Sequence, residues 1–310
     1  MDALGALLSG PRAQDAFLLR AVLEPPWSIR IEDEAPLTVL TVVRGSAWLA
    51  PEGQQPTWLG PRDVLVARGP DPYTMADAPS TPVQTIIHPG QRCTTLYGEE
   101  LAEKLALGVR SWGNSPDGGT VMLIGTYQLA GEVSRRLLDA LPRSLVLRGD
   151  EWDCPIIDLL AAEIVKDAPG QESVLDRMLD LLLISALRAW FARPDARAPS
   201  WYRANGDPVV GRALRLLHNN PEHPWTVADL AQRTGISRAA LARRFTALVG
   251  EPPMAYLTGW RIALAADLLH EPGATLEAVA RQVGYSTPFA LSTAFKRVRG
   301  ISPADHRRAS

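Results

Sequence analysis

Several things are scarce in this 310-residue chain. It has two cysteines, Cys93 and Cys154, too few for a disulfide scaffold, and such sparse use fits a reducing compartment. Of its five histidines only His88 falls in the first 200 residues, which excludes a histidine-rich metal centre there. The longest apolar run, 181–187 between Asp180 and Arg188, is far below the roughly 20 residues of a membrane span. Near the start, Asp2 stands where a secretion signal needs basic residues, and the apolar run after it is broken by Gly5 and ends at Ser9. A soluble, cytoplasmic protein without a membrane partner is therefore expected. Overall charge is also small, with 32 basic and 34 acidic residues giving −2.

What is present is enough apolar residue, 46%, to bury a core in each of two domains. The charge is unevenly divided between them. Residues 207–310 hold 13 Lys and Arg against 8 Asp and Glu, a charge of +5, which leaves 19 basic and 26 acidic residues, −7, on the rest. A basic end on an acidic body points to a polyanion partner for that end alone.

From residue 16 to 127 the chain is a series of short, β-branched apolar runs cut by Pro, Gly and Asp. The runs at 16–23, 28–31, 37–43, 47–50, 64–67, 84–87 and 121–127 predict strands of a barrel or sandwich. Beyond Gly131 the apolar spacing becomes three and four, predicting helices over 133–141, 156–166 and 173–191. Ser173 is the expected N-cap of the last, and Leu175, Met178, Leu179, Leu182, Ala186 and Trp190 form its apolar face, available for a homodimer or for packing on the barrel. The expected organisation is α+β: a barrel over 1–130, a helical extension over 131–193, a linker over 194–207 and an all-helical domain over 208–310.

That last domain contains an internal repeat. Val227-Ala-Asp-Leu-Ala-Gln-Arg-Thr-Gly-Ile-Ser237 matches Leu276-Glu-Ala-Val-Ala-Arg-Gln-Val-Gly-Tyr-Ser286 at an offset of 49 residues. Each copy has the parts of a helix-turn-helix: a small residue where the helices cross (Ala231, Ala280), a turn glycine (Gly235, Gly284) and a capped second helix (Ser237, then Thr287-Pro288). A helix over 253–270, roughly 25 Å long, joins the copies and suits two recognition helices in successive major grooves about 34 Å apart.

These residues, with Gly250-Glu-Pro-Pro-Met-Ala-Tyr-Leu257, Arg261-Ile-Ala-Leu-Ala265, Ala294-Phe-Lys-Arg297, Gly300-Ile-Ser-Pro303 and Arg307, resemble the AraC/XylS transcription regulators over about the last hundred residues. At Pro26-Trp-Ser-Ile-Arg30, Val43-Arg-Gly45 and Trp48 the remainder is similar to the cupin-like sensor domain of one branch of that family. The resemblance implies a regulator of double-stranded promoter DNA that takes a small-molecule or stress input and engages RNA polymerase if it activates. By position it implies that Ala239, Ala242 and Arg243 face the bases in copy one, and Pro288, Phe289, Ser292 and Thr293 in copy two. Thr293 stands where the family usually has arginine, so copy two is expected to read thymine methyls or shape. Arg238, Arg244, Arg261, Lys296, Arg297 and Arg299 are assigned to phosphate.

In the barrel, Tyr73 falls about where the family's ligand histidine would come, so no cofactor and no enzyme activity are expected. Trp27, Arg30, Trp48, Trp58, Tyr73 and Tyr127 are candidates for an effector pocket, or core. Two further readings stand beside the ligand-responsive regulator. One is a cupin enzyme carrying a DNA reader. The other is a switch at the cysteines, where Arg92 beside Cys93 favours the thiolate and the pair forms a disulfide, or a zinc or copper site with His88 and Asp153. Two inert, buried thiols are the alternative to both.

Overall fold

The computed structural model describes residues 17–127, 135, 137–194, 196 and 198–308; of the helix expected over 133–141, residues 133, 134 and 136 lie outside them, while 135, 137 and 138 are helical. Two compact units result; of the described residues one holds 17–127, 141–194 and 196, the other 135, 137–140 and 198–308.

The first unit begins with strands β1 (Phe17–Leu23), β2 (Ser28–Ile31), β3 (Leu37–Arg44), β4 (Ala47–Pro51), β5 (Thr57–Leu59) and β6 (Val64–Arg68). There follow β7 (Tyr73–Ala76), β8 (Thr85–His88), β9 (Arg92–Thr95), β10 (Ala106–Gly108), β11 (Ser111–Trp112), β12 (Thr120–Tyr127) and β13 (Ser144–Leu147). They form a seven-stranded sheet ordered β10-β11-β1-β12-β3-β6-β13 and a six-stranded sheet ordered β5-β4-β7-β2-β8-β9. One core joins the inner faces of both, with Ala21, Leu23, Ile29, Leu40, Leu49, Leu65, Met75 and Met122 all buried in it. Strand alternation decides which residues reach that core. On β3 and β12 the inward set is Thr38, Leu40 and Val42 opposite Thr126, Ile124 and Met122, in antiparallel register.

Two departures from expectation concern the extension. Strand β13 lies within the segment read as helical and pairs with β6 to close the larger sheet. Helices α1 (Ile156–Glu163) and α2 (Gln171–Ala192) are present, but Gly170, not Ser173, is the N-cap of α2. The apolar face of α2 is used inside the chain: Leu175, Leu179, Leu182 and Ala186 are buried, and Leu179 lies so close to Gly125 that a Cβ there would come within 2.5 Å of its methyls. That face is therefore not the free dimer surface its sequence allowed, because the sheet needs it as a cover.

In the second unit the order is α3 (Ser200–Asn205), α4 (Val210–Asn219), α5 (Val227–Thr234), α6 (Arg238–Val249), α7 (Pro253–Leu268), α8 (Leu276–Gln282), α9 (Pro288–Arg299) and α10 (Pro303–Arg308). Helix α3 occupies the expected linker, and its Ala204 is buried in the first of two cores. That core gathers Leu214, Leu230, Phe245 and Leu257; the second gathers Ile262, Val279, Leu291 and Phe295. The joining helix α7, 16 residues long, supplies side chains to both.

Candidate nucleic-acid interface and barrel cavity

The two repeat copies build the same frame from local signals. Thr226 accepts a hydrogen bond from the Asp229 amide (3.1 Å) to start α5, and Thr275 from the Ala278 amide (3.2 Å) to start α8. The recognition helices α6 and α9 open on Ser237 and Thr287, which accept from the Ala240 and Ala290 amides at 3.2 and 3.1 Å. Such caps satisfy amides that the first turn leaves open and fix where each helix begins. Gly235 and Gly284 make the turns at φ +75° and +83°. The crossing residues Ala231 and Ala280 are buried.

On the outward side the two helices differ. Helix α6 exposes Arg238, Ala239 and Arg243, with Ala242 half-buried. Helix α9 exposes Phe289 to 80%, together with Thr293, with Pro288 and Ser292 half-buried. Its cations, Lys296, Arg297 and Arg299, are confined to the last turn, where they also suit the negative end of the helix dipole. Leu241, Phe245, Leu291 and Phe295 point inward and are fully buried.

Two arginines assigned to phosphate are placed otherwise. Arg261 on α7 donates from Nε to the Pro221 carbonyl and from Nη2 to the His223 carbonyl, both at 2.7 Å, and its guanidinium lies 5.7 Å from the Tyr285 ring centre. Burial lowers its pKa, against the pull of Tyr285 and Glu222. It is a brace between the segment before α5 and the turn after α8. Arg244 is held by Asp207, whose Oδ2 accepts from Nε at 3.0 Å and Nη2 at 2.6 Å. The same carboxylate accepts from the Val209 and Val210 amides and so sets the start of α4. Neither role was readable from sequence, because each partner lies about 40 residues away in the chain.

Of the aromatic and arginine candidates in the barrel, Tyr73 lines an interior cavity. That cavity, about 60 Å³, lies between Ile29, Ile31, Leu40, Met75, Met122 and Ile124, with Thr38 and Thr126 in its wall. Arg30 and Trp48 each follow an inward residue by one position and so face out. Arg30 is held by Glu32 and lies 3.8 Å from Glu52, and Trp48 stands opposite the half-exposed Trp58. Trp27 is packed in the core. Tyr127, one residue beyond the inward Thr126, is buried on the other face of its strand, and burial together with Asp180 and Asp176 holds its pKa well above the usual phenol value. The missed residues, Thr38 and Thr126, had a weak signal: a threonine at the inward position of two otherwise apolar runs.

The cysteine readings fare worse. Both cysteines are free and buried, Cys93 on β9 and Cys154 just ahead of α1. Arg92 is engaged by Glu100 at 2.6 Å, and burial, reinforced by Glu100, pushes the Cys93 thiol up to about 11 instead of favouring the thiolate. Burial raises Cys154 too. His88 meets Thr94 at 2.9 Å and Asp153 meets Arg62 at 2.7 Å. Among the described residues no three His, Cys, Asp or Glu side chains converge as metal ligands would, so of the three cysteine readings the disulfide and the metal site are not formed and two buried thiols remain.

Among the described residues no helix is long and apolar enough to cross a membrane. Residues 2–192 match the cupin family and residues 230–309 the helix-turn-helix domain family. An AraC-like transcription regulator from Streptomyces lividans is 31% identical over 317 residues, covering 99% of this chain and 98% of its own. The HTH-type transcriptional regulator AlkR of Acinetobacter baylyi is 27% identical over 317 residues, covering 100% of both chains. The solved DNA-binding domain of AdpA, in complex with a target DNA, covers 34% of this chain and 93% of its own at 34% identity, with a TM-score of 0.32. Paired helix-turn-helix copies behind a cupin barrel, matched end to end by such relatives, make this chain a member of the AraC-like, DNA-binding transcription regulators.

Proposed function

We propose that this regulator reads a two-part promoter site with two chemically unlike heads, under the control of an input to its cupin barrel. The observation that carries the reading is the contrast between α6 and α9. Arg243 presents a guanidinium able to bond guanine O6 and N7 together, which contributes about 1–3 kcal/mol of discrimination. Phe289, with Pro288, Ser292 and Thr293, presents apolar and hydroxyl groups suited to thymine methyls. Ala239 and Ala242 keep α6 slim enough for close approach to the bases. Arg238, Lys296, Arg297 and Arg299 supply phosphate contacts, which add affinity without sequence information. The +5 charge of residues 207–310 favours the same partner. The protein works by binding, without catalysis, in the cytoplasm, with a small-molecule effector entering the barrel and RNA polymerase as the further partner where it activates.

Selection of duplexes from a random pool by the full-length protein tests this. The expected product is a bipartite site with guanine in one half and thymines in the other, about one helical turn apart. Sequence-independent recovery would overturn the proposal.

A further inference from the structure

Two spaces in the cupin unit share one wall. The inner one, about 60 Å³, is apolar; the outer one, about 230 Å³, opens among Glu52, Arg68, Asp71, Pro72 and Arg143. Tyr73 lines both, and its hydroxyl shares a hydrogen bond with Thr38 of the inner wall. Neither space alone reaches the roughly 300 Å³ at which small-molecule sites begin, whereas joined they come to about that. We infer that Tyr73 is the gate of a single ligand site: swinging out and releasing Thr38, it joins the two spaces and admits an uncharged molecule with a small apolar body and one hydroxyl or carbonyl group. This rests on the barrel's being the input domain, and adds the route and the class of ligand.

The class follows from the lining. Thr126 is 3% exposed, lines the inner space, and its Oγ1 has no hydrogen-bond partner among the described residues. An unmet buried hydroxyl is costly, and a ligand's polar group would relieve it. Thr126 also stands opposite Thr38 in the β3 and β12 register, so opening the gate leaves two neighbouring hydroxyls for one ligand oxygen. Among the described residues, the inner lining includes the Asp33 carboxylate, which accepts from Gln91 at 3.1 Å, and no Lys, Arg or His. An anion is repelled there with nothing to receive it.

Benzyl alcohol, toluene and benzoate are the probes, titrated into the full-length protein by calorimetry and followed by stopped-flow fluorescence of the tryptophans, one of which, Trp112, lines the inner space. Saturable one-to-one binding of benzyl alcohol is expected, with benzoate at least about tenfold weaker. Tyr73→Phe keeps the ring, loses the Thr38 bond and is expected to speed association about fivefold or more, while the bulkier Tyr73→Trp slows it. Thr126→Val is expected to weaken benzyl alcohol about tenfold and leave toluene unchanged. Melting temperatures confirm that each variant is folded. The inference is overturned if benzyl alcohol does not saturate, if benzoate binds as tightly, or if both Tyr73 variants associate at the parent rate. Affinity for the selected duplex, measured in the same samples, keeps the two readings apart. Gated binding without any change in DNA affinity removes the input role alone, and ligand-dependent DNA affinity with ungated binding removes the gate alone.

Discussion

The two helix-turn-helix copies share their caps, their crossing alanines and their turn glycines, yet they sit in the fold differently. A Cβ added at Gly235 meets nothing within 4 Å among the described residues. Around Gly284 the same atom would lie 2.6 Å from Arg261 Nη2 and 2.7 Å from the Glu222 carbonyl oxygen. Copy one is thus specified by local signals, whereas the turn of copy two is also clamped by the rest of the domain. The heads divide their chemistry too, a cation on the base-facing side of one and an aromatic ring on that of the other. A sequence repeat therefore guarantees equal frames but neither equal surroundings nor equal contacts.

The largest effect that would test this contrast comes from the glycines. Gly235→Ala faces only the left-handed backbone penalty, about 1–2 kcal/mol. Gly284→Ala adds overlap with backbone, and a loss of about 3–4 kcal/mol is expected. Urea unfolding of both variants, followed through the helical transition, measures the difference, and equal losses would erase the distinction. Next, Arg261→Ala is expected to cost about 2–3 kcal/mol of stability, since two carbonyls lose a charged donor. It is not expected to change the salt dependence of DNA binding, whereas Lys296→Ala reduces that slope by about one and leaves stability alone. A lower slope with unchanged stability for Arg261→Ala would return it to the phosphate.

Smaller effects separate the heads themselves. Arg243→Ala is expected to lose about 1–3 kcal/mol at one guanine, and Phe289→Ala about 1 kcal/mol at thymine. Replacing thymine by uracil in the duplex removes the methyl, so it should reproduce the Phe289→Ala loss and add nothing to it; additive losses would place the ring elsewhere. The smallest effect is at Asp207. Burial raises its pKa, but the Val210 amide, Arg244 and the Val209 amide together hold it below the ordinary value. With the folded pKa depressed, its contribution is full above the unfolded value of about 4 and is lost as pH falls through the folded one. Arg244→Ala is expected to shrink this acid loss by less than about 1 kcal/mol, since the pair is partly exposed. Stability measured from about pH 5 to pH 3 shows it.

How much of this was readable in the sequence depended on how locally each feature is caused. Short β-branched and apolar stretches of four or more residues marked β1, β2, β3, β4, β6, β8 and β12, and the repeat marked both reading heads, because periodicity and capping act within a few residues. Strands β5, β10 and β11, of two or three residues, carry no period to detect, and β13 exists because β6 offers it an edge. Arg30, Trp48 and Tyr127 were candidates for a pocket or for core by residue type, and a one-residue step along a strand turns each away from the cavity. Arg92 was read from its neighbour in the chain, while Glu100 across the turn decides its state.

Arg261 has a consequence for how the domain comes apart. One guanidinium touches the approach to the first head and the turn of the second, so neither head can open without disturbing the other. The two cores then belong to one cooperative unit, and amides in α5 and α8 are expected to exchange with solvent through a common opening. Arg261→Ala is expected to loosen that coupling and let the two heads open at more different rates, leaving the shared helix α7 as the link between the two cores.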